Sequence, residues 1–144
     1  MNPAVVVDAS VAIKRVLPEE FTEQSRALFA SSLEARRPVL APPHLKSEVT
    51  NAFYQRLRTT VAARRITEAE AERALAAFLS LPITLLVRAF AFAKTHRLPS
   101  IYDSLYVVLA QMTNTELWTG DKRLINAVGK VAPWIRFIGD YPQP

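Results

Sequence analysis

Short apolar runs, each cut off by aspartate, proline or a charged cluster and followed by helical spacing, recur along this chain and restrict it to few architectures. Val5-Val6-Val7 stops at Asp8-Ala9-Ser10, and Val11 to Leu17 carries helical spacing as far as Pro18. A second helix is predicted from Phe21 to Leu33, ending before Arg36-Arg37-Pro38, and Val39-Leu40 reads as a buried strand. Pro42-Pro43 breaks it and opens a helix from about His44 to about Arg58, since proline is tolerated in a first helical turn. Thr67-Glu68-Ala69-Glu70 is a capping box for a helix through Leu75, Phe78 and Leu79 that Pro82 ends. Ile83 to Leu86 is a short strand, and a helix with Ala89, Phe90 and Ala93 follows, stopping near His96 to Pro99. Tyr102 or Asp103 begins a helix that is apolar on all sides from Leu105 to Met112 and is therefore buried. Glu116 to Thr119 is a strand, Leu124 to Val128 a short helix, and Ile135 to Ile138 the last strand. Strands this short and apolar, alternating with helices, pair in parallel and are covered on both faces: an α/β fold in which helix exceeds strand.

At 144 residues, with no linker, repeat or low-complexity tract, residues 1–144 are expected to form a single domain. Half the residues are hydrophobic, enough to offset chain entropy. Cysteine is absent, which removes disulfides, thiolate metal sites and thiol catalysis, and suits a reducing cytoplasm. Met1-Asn2-Pro3 leads into the first strand without a signal-peptide pattern, and no run reaches the roughly 18 apolar residues of a membrane span, so a cytoplasmic location without membrane contact is expected. Lysine and arginine total 18 against 13 acids, a net charge of +5 that favours polyanions. Arg56, Arg58, Arg64 and Arg65 lie in a stretch from Val49 to Thr67 that holds no acid, a phosphate-facing patch or else a solvated helix end.

The four aspartates fall at 8, 103, 121 and 140, and Asp8 and Asp121 directly follow predicted strands. In a parallel sheet the ends where strands hand over to helices share one edge, and ligands collect there where strand order reverses. Asp103 opens the buried helix near the same rim. Asp8, Asp103 and Asp121 are each, taken alone, explained as a helix N-cap, but Ser10 and Ser104 stand beside Asp8 and Asp103 as alternative caps. Glu48 is different: it lies inside a helix, on the border of the apolar stripe, where it either pairs with Arg56 at the surface or points inward. Inward carboxylates repel one another and are costly to bury unless a cation sits among them. An all-oxygen ligand set with phosphate nearby selects Mg²⁺ or Mn²⁺ over zinc, and such an ion activates water against a phosphodiester.

The segments Val5-Val6-Val7-Asp8-Ala9-Ser10, Glu48-Val49-Thr50-Asn51-Ala52, Ile101-Tyr102-Asp103-Ser104-Leu105-Tyr106 and Leu117-Trp118-Thr119-Gly120-Asp121 resemble, in order and spacing, the motifs of PIN-domain ribonucleases. The nearest branch is that of VapC-type toxins of toxin-antitoxin pairs, and the resemblance covers essentially the full length. It implies a PIN-like three-layer α/β/α sandwich with a central parallel sheet of about five short strands, and Mg²⁺- or Mn²⁺-dependent endonucleolytic cleavage of RNA. By the same resemblance Asp8, Glu48, Asp103 and Asp121 would bind metal, Ser10 and Thr119 would orient water or carboxylates, and Asn51 would touch RNA or support the site. A homodimer and a cognate antitoxin that occludes the acidic pocket are implied as well. One departure stands out: relatives often carry another acid shortly after the fourth carboxylate, where this chain has Lys122 and Arg123, which argues against a permanent two-metal cluster.

Other chemistries find little support. His44 and His96 lie far apart in sequence and form no H-E-x-x-H zinc motif, and three glycines form neither a dinucleotide fingerprint nor a phosphate loop. No G-x-S-x-G elbow occurs. Trp118, Trp134, Phe53, Phe90 and Phe92 are explained by core spacing. Two alternatives to the nuclease are a catalytically silent RNA- or antitoxin-binding module of the same fold and a phosphatase or receiver domain. The last lacks the paired acid expected two residues after Asp8.

Overall fold

The computed structural model describes residues 4–85, 101–128 and 132–142, with side chains throughout these ranges except at 101–104 and 127–128. Its elements run β1 (Val5–Val7), α1 (Ala9–Val16), α2 (Thr22–Glu34), β2 (Val39–Ala41), α3 (Leu45–Arg58), α4 (Glu68–Leu79), β3 (Ile83–Leu85), α5 (Ile101–Thr113), β4 (Glu116–Thr119), α6 (Lys122–Val128) and β5 (Ile135–Phe137). The helix expected around Phe90, with Phe92 and His96, lies outside the described residues.

Five strands form one parallel sheet in the order β3-β2-β1-β4-β5. Central β1 is three valines with no solvent exposure, and β-branched residues suit a strand buried on both faces. Because successive side chains alternate, Val6 enters one apolar cluster with α3, α4 and α5, while Val5 and Val7 enter the other with Leu28 and Phe29 of α2. Each such valine contributes about 1.5–3 kcal/mol of transfer free energy. Helices therefore cover both faces, as the alternation of runs predicts.

Differences from the expected boundaries have local causes. Helix α1 starts at Ala9 rather than Val11, because the Asp8 carboxylate accepts the Val11 N–H at 3.0 Å and so caps the helix itself. The last strand stops at Phe137, and Ile138 opens a 3₁₀ turn that sends its side chain into the cluster around Val5, Val7 and Trp118. Helix α4 ends at Leu79, three residues before Pro82. Helix α5 is buried at Leu105, Tyr106, Val108, Leu109 and Ala110 but not all round, since Gln111 and Met112 are exposed. Trp118 and Phe53 are core residues and Trp134 is half-buried against the core.

The capping box at α4 is present in both directions: Glu70 N–H donates to Thr67 Oγ1 at 3.2 Å, and Thr67 N–H donates to Glu70 Oε2 at 2.7 Å. Those backbone and hydroxyl donors hold the Glu70 carboxyl below its usual range. Thr67→Ala is expected to cost about 1 kcal/mol. A thermal melt should register this as a fall of roughly 3–5 °C; an unchanged melt would show that α4 is held by packing alone.

Candidate active site

The strand order reverses at β1: β2 and β3 lie to one side, β4 and β5 to the other. Asp8 follows β1 and Asp121 follows β4, its in-register neighbour, so two aspartates far apart in sequence emerge from adjacent strand ends at the carboxyl edge of the sheet. Thr119 ends β4 with its side chain fully buried. Its hydroxyl donates a short hydrogen bond to Asp8 Oδ2 and accepts the Asp121 N–H at 3.0 Å, tying the two strand ends together.

Ser10 completes the web. Its hydroxyl donates to Asp8 Oδ1 at 2.6 Å and accepts the Gly120 N–H at 2.7 Å, so Ser10 is not the alternative cap but a cross-strand strut. Glycine is needed at 120, because a Cβ there would lie 2.9 Å from Ser10 Oγ and 3.3 Å from both Cε and Nζ of Lys14. Asp8 is almost fully buried. Burial pushes its carboxyl above the usual range, against the opposing pull of the Ser10 and Thr119 hydroxyls, the Val11 amide and the Lys14 ammonium. Asp121 also caps a helix: its Oδ1 accepts from the Arg123 N–H at 2.8 Å and the Leu124 N–H at 3.4 Å. Capping and membership of the acidic edge thus coexist in the same two aspartates.

Glu48 does not pair with Arg56. Arg56 bonds Glu19 instead, and Glu48 accepts a short hydrogen bond from the Tyr106 hydroxyl, with His44 Nε2 at 3.5 Å. The position of Glu48 in the first turn of α3 also has an electrostatic reason, as carboxylates are favoured near a helix N-terminus. Tyr106 is 2% exposed, and its hydroxyl feels the Ala9 amide at the head of α1. Burial first, then the charge and hydrogen bond of Glu48 and the charge of Asp8, push its phenol far above the usual range, so it stays protonated as a donor. Tyr106 therefore links Glu48 to the Asp8 end of the sheet. Its role was hidden within the motif Ile101 to Tyr106; the available signal was its place one helical turn after Asp103.

Asp103 lies within α5 rather than at its cap, since the helix already includes Ile101; its side chain is outside those described. Arg56, Arg58, Arg64 and Arg65 line one groove of about 1220 Å³. Arg58 Nη1 donates to the Tyr54 hydroxyl at 3.3 Å and its guanidinium stacks over the Tyr54 ring. Asn51 is exposed and lines a different depression, with Lys46, Ser47, Thr50 and Tyr54. The two residues after Asp121 are basic: Lys122 Nζ sits over the Phe137 ring, and Arg123 is almost fully exposed beside Asp121.

Among the described residues, no three His, Cys, Asp or Glu side chains stand close enough together to hold one ion. The donor chemistry nevertheless fits a hard divalent cation. The edge presents carboxylate and hydroxyl oxygens, and the Asp8 carboxyl is desolvated beyond what its hydrogen bonds offset, so a nearby cation would stabilise its ionised form. No described helix is long and apolar enough to cross a membrane.

A parallel α/β sheet with aspartates at the switch point of its carboxyl edge defines a class of ligand-binding α/β folds. Comparison with known proteins narrows it: the PIN domain family model matches residues 5–130, and the chain belongs to the PIN domain family. PIN domains are generally nucleases that use divalent metal ions. No curated protein sequence matches the chain. Among solved structures it is similar to PAE2754 from Pyrobaculum aerophilum, at 19% identity and a TM-score of 0.60, with 96% of this chain and 92% of that one covered.

Proposed function

We propose that this chain is a Mg²⁺- or Mn²⁺-dependent endoribonuclease and the toxin of a type II toxin-antitoxin pair. The observation that carries the nuclease reading is the buried Asp8 carboxylate, held by Thr119 and Ser10 at the switch point beside Asp121. Asp8, Asp103, Asp121 and Glu48 would hold the cation, which when bound supplies an activated water and charge stabilisation for phosphodiester hydrolysis. Thr119 and Ser10 fix the Asp8 carboxylate, and the same two hydroxyls anchor the Gly120 and Asp121 amides, so the β1 and β4 ends cannot drift apart. Tyr106 fixes Glu48. Support for the toxin reading comes from the ordered motifs along the chain; a homodimer, a cognate antitoxin and a cytoplasmic setting belong to that same reading.

The test uses end-labelled single-stranded RNA with Mg²⁺ or Mn²⁺, with and without EDTA, for the parent chain and Asp103→Asn. Cleavage is expected only with the cation, and not with Asp103→Asn at an unchanged circular dichroism spectrum. Cleavage that persists in EDTA or in the variant overturns the metal mechanism, and binding without cleavage favours the silent module. For the toxin reading, induced expression should arrest growth of the host and Asp103→Asn should not; arrest by both would overturn it.

A further inference from the structure

Glu19 stands in the basic groove between two of its cations, one of which, Lys14, also reaches the acidic edge. Glu19 Oε1 is bonded to the Arg56 guanidinium, and its Oε2 lies 3.4 Å from Lys14 Nζ. All three side chains are largely buried, at 15% exposure for Lys14, 19% for Glu19 and 25% for Arg56. Lys14 is the joint between two surfaces: it lines the groove with Arg56, Arg64 and Arg65, and also a smaller depression with Gly120 and Asp121. Its ammonium acts on the Asp8 carboxyl as well. The approach is possible because Gly120 has no side chain to block it.

A carboxylate with its two oxygens shared between an ammonium and a guanidinium matches, in charge and in oxygen number, the two non-bridging oxygens of a phosphodiester. The groove's other acids do not compete for these cations in the same way: Glu70 is committed to the α4 cap, and Glu20 is exposed. The turn that carries Glu19 is held through its backbone, whose N–H donates to Thr22 Oγ1 at 2.7 Å while its carbonyl accepts the Thr22 N–H at 3.2 Å. The side chain can therefore swing out without unfolding the turn.

We infer that Lys14 and Arg56 form a phosphate-binding step for the RNA backbone next to the acidic edge, and that Glu19 occupies this step in the free chain and must be displaced when RNA enters. The inference rests on the ribonuclease reading for the identity of the ligand, but its test needs no cleavage. The probe is a fluorescein-labelled oligouridylate 12-mer, titrated in EDTA across a salt series by anisotropy. Glu19→Gln should tighten binding about three- to tenfold, the equivalent of releasing two ion pairs. It should also steepen the logarithmic salt dependence by about 0.7 for each cation freed. Glu34→Gln, the same charge change on the exposed end of α2 outside the groove, controls for net charge. Adding Lys14→Met and Arg56→Met to Glu19→Gln should abolish the gain. A gain no larger than that of Glu34→Gln, or one that survives loss of both cations, overturns the inference. Failure here with intact metal-dependent cleavage leaves the nuclease standing, whereas a gain here without cleavage would remove the nuclease and leave a polyanion site.

Discussion

Asp8→Asn is expected to reduce cation-dependent RNA cleavage at least about a hundredfold, the scale on which a charge-stabilising group is lost from a site, while leaving the metal-free fold as stable as the parent or more so at neutral pH. The second half follows from the direction in which the carboxyl is shifted. Burial raises the Asp8 carboxyl in the folded chain above its unfolded value. A raised carboxyl adds stability at pH below the unfolded value and forfeits it as pH rises through the folded one, so at neutral pH the ionised group is a net cost. Asparagine keeps an oxygen to cap α1 through the Val11 N–H and discards the charge, and its amide N–H can donate to the Thr119 hydroxyl oxygen in place of the bond that Asp8 Oδ2 accepted. Thermal melts in EDTA at neutral pH should therefore show Asp8→Asn at or above the parent. Saturating Mg²⁺ should raise the parent's Tm and leave the variant's unmoved, because only an ionised carboxylate rewards the cation. A parent Tm indifferent to Mg²⁺, or a variant that melts well below it at neutral pH in EDTA, would show that Asp8 serves the fold and not a metal.

The largest stability loss is expected at Thr119, not at any acid. Thr119→Val preserves shape but leaves two groups without their partner: the buried Asp8 carboxylate loses a hydroxyl donor, and the Asp121 N–H loses its acceptor. A hydrogen bond to a charged group is worth roughly 1.5–3 kcal/mol, so a loss of about 2–3 kcal/mol is expected at neutral pH. The penalty should shrink in acid, as pH falls through the raised Asp8 value and the carboxylate is neutralised. Urea melts at both pH values measure this directly. Combining Thr119→Val with Asp8→Asn should cost less than the sum of the two, the mark of groups in direct contact. Equal penalties at both pH values, together with strict additivity, would mean that Thr119 matters only for packing.

The secondary structure was legible where the local signal is strong. Val5 to Val7 reads as a buried strand from β-branching alone, the Thr67 to Glu70 box marks a helix start to the residue, and Pro42-Pro43 separates β2 from α3. Boundaries were missed where a side chain acts at a distance. Whether α1 begins at Ala9 or Val11 depends on which of Asp8 and Ser10 caps it, and Ser10 is withdrawn from that task by a glycine 110 residues away. Likewise Glu48 could be placed at the edge of an apolar stripe, but its choice of Tyr106 over Arg56 turns on α5 packing against β1 and β4, which brings the Tyr106 hydroxyl to Glu48, and on Glu19 taking Arg56. Lys14 lies four residues after Ser10, on the same helical face, and that spacing was the one local hint of its place at the edge.

By itself the amino-acid order determines a parallel α/β chain with aspartates within two residues of the ends of its first and fourth strands, because apolar alternation, β-branching and proline stops act within a few residues and leave their mark there. Only the tertiary structure decides which carboxylate is buried, which hydroxyl serves it, and which cation each glutamate holds. Those outcomes depend on strand neighbours 111 residues apart, as Thr119 is from Asp8, and on desolvation, a property of the assembled surroundings that no local spacing encodes.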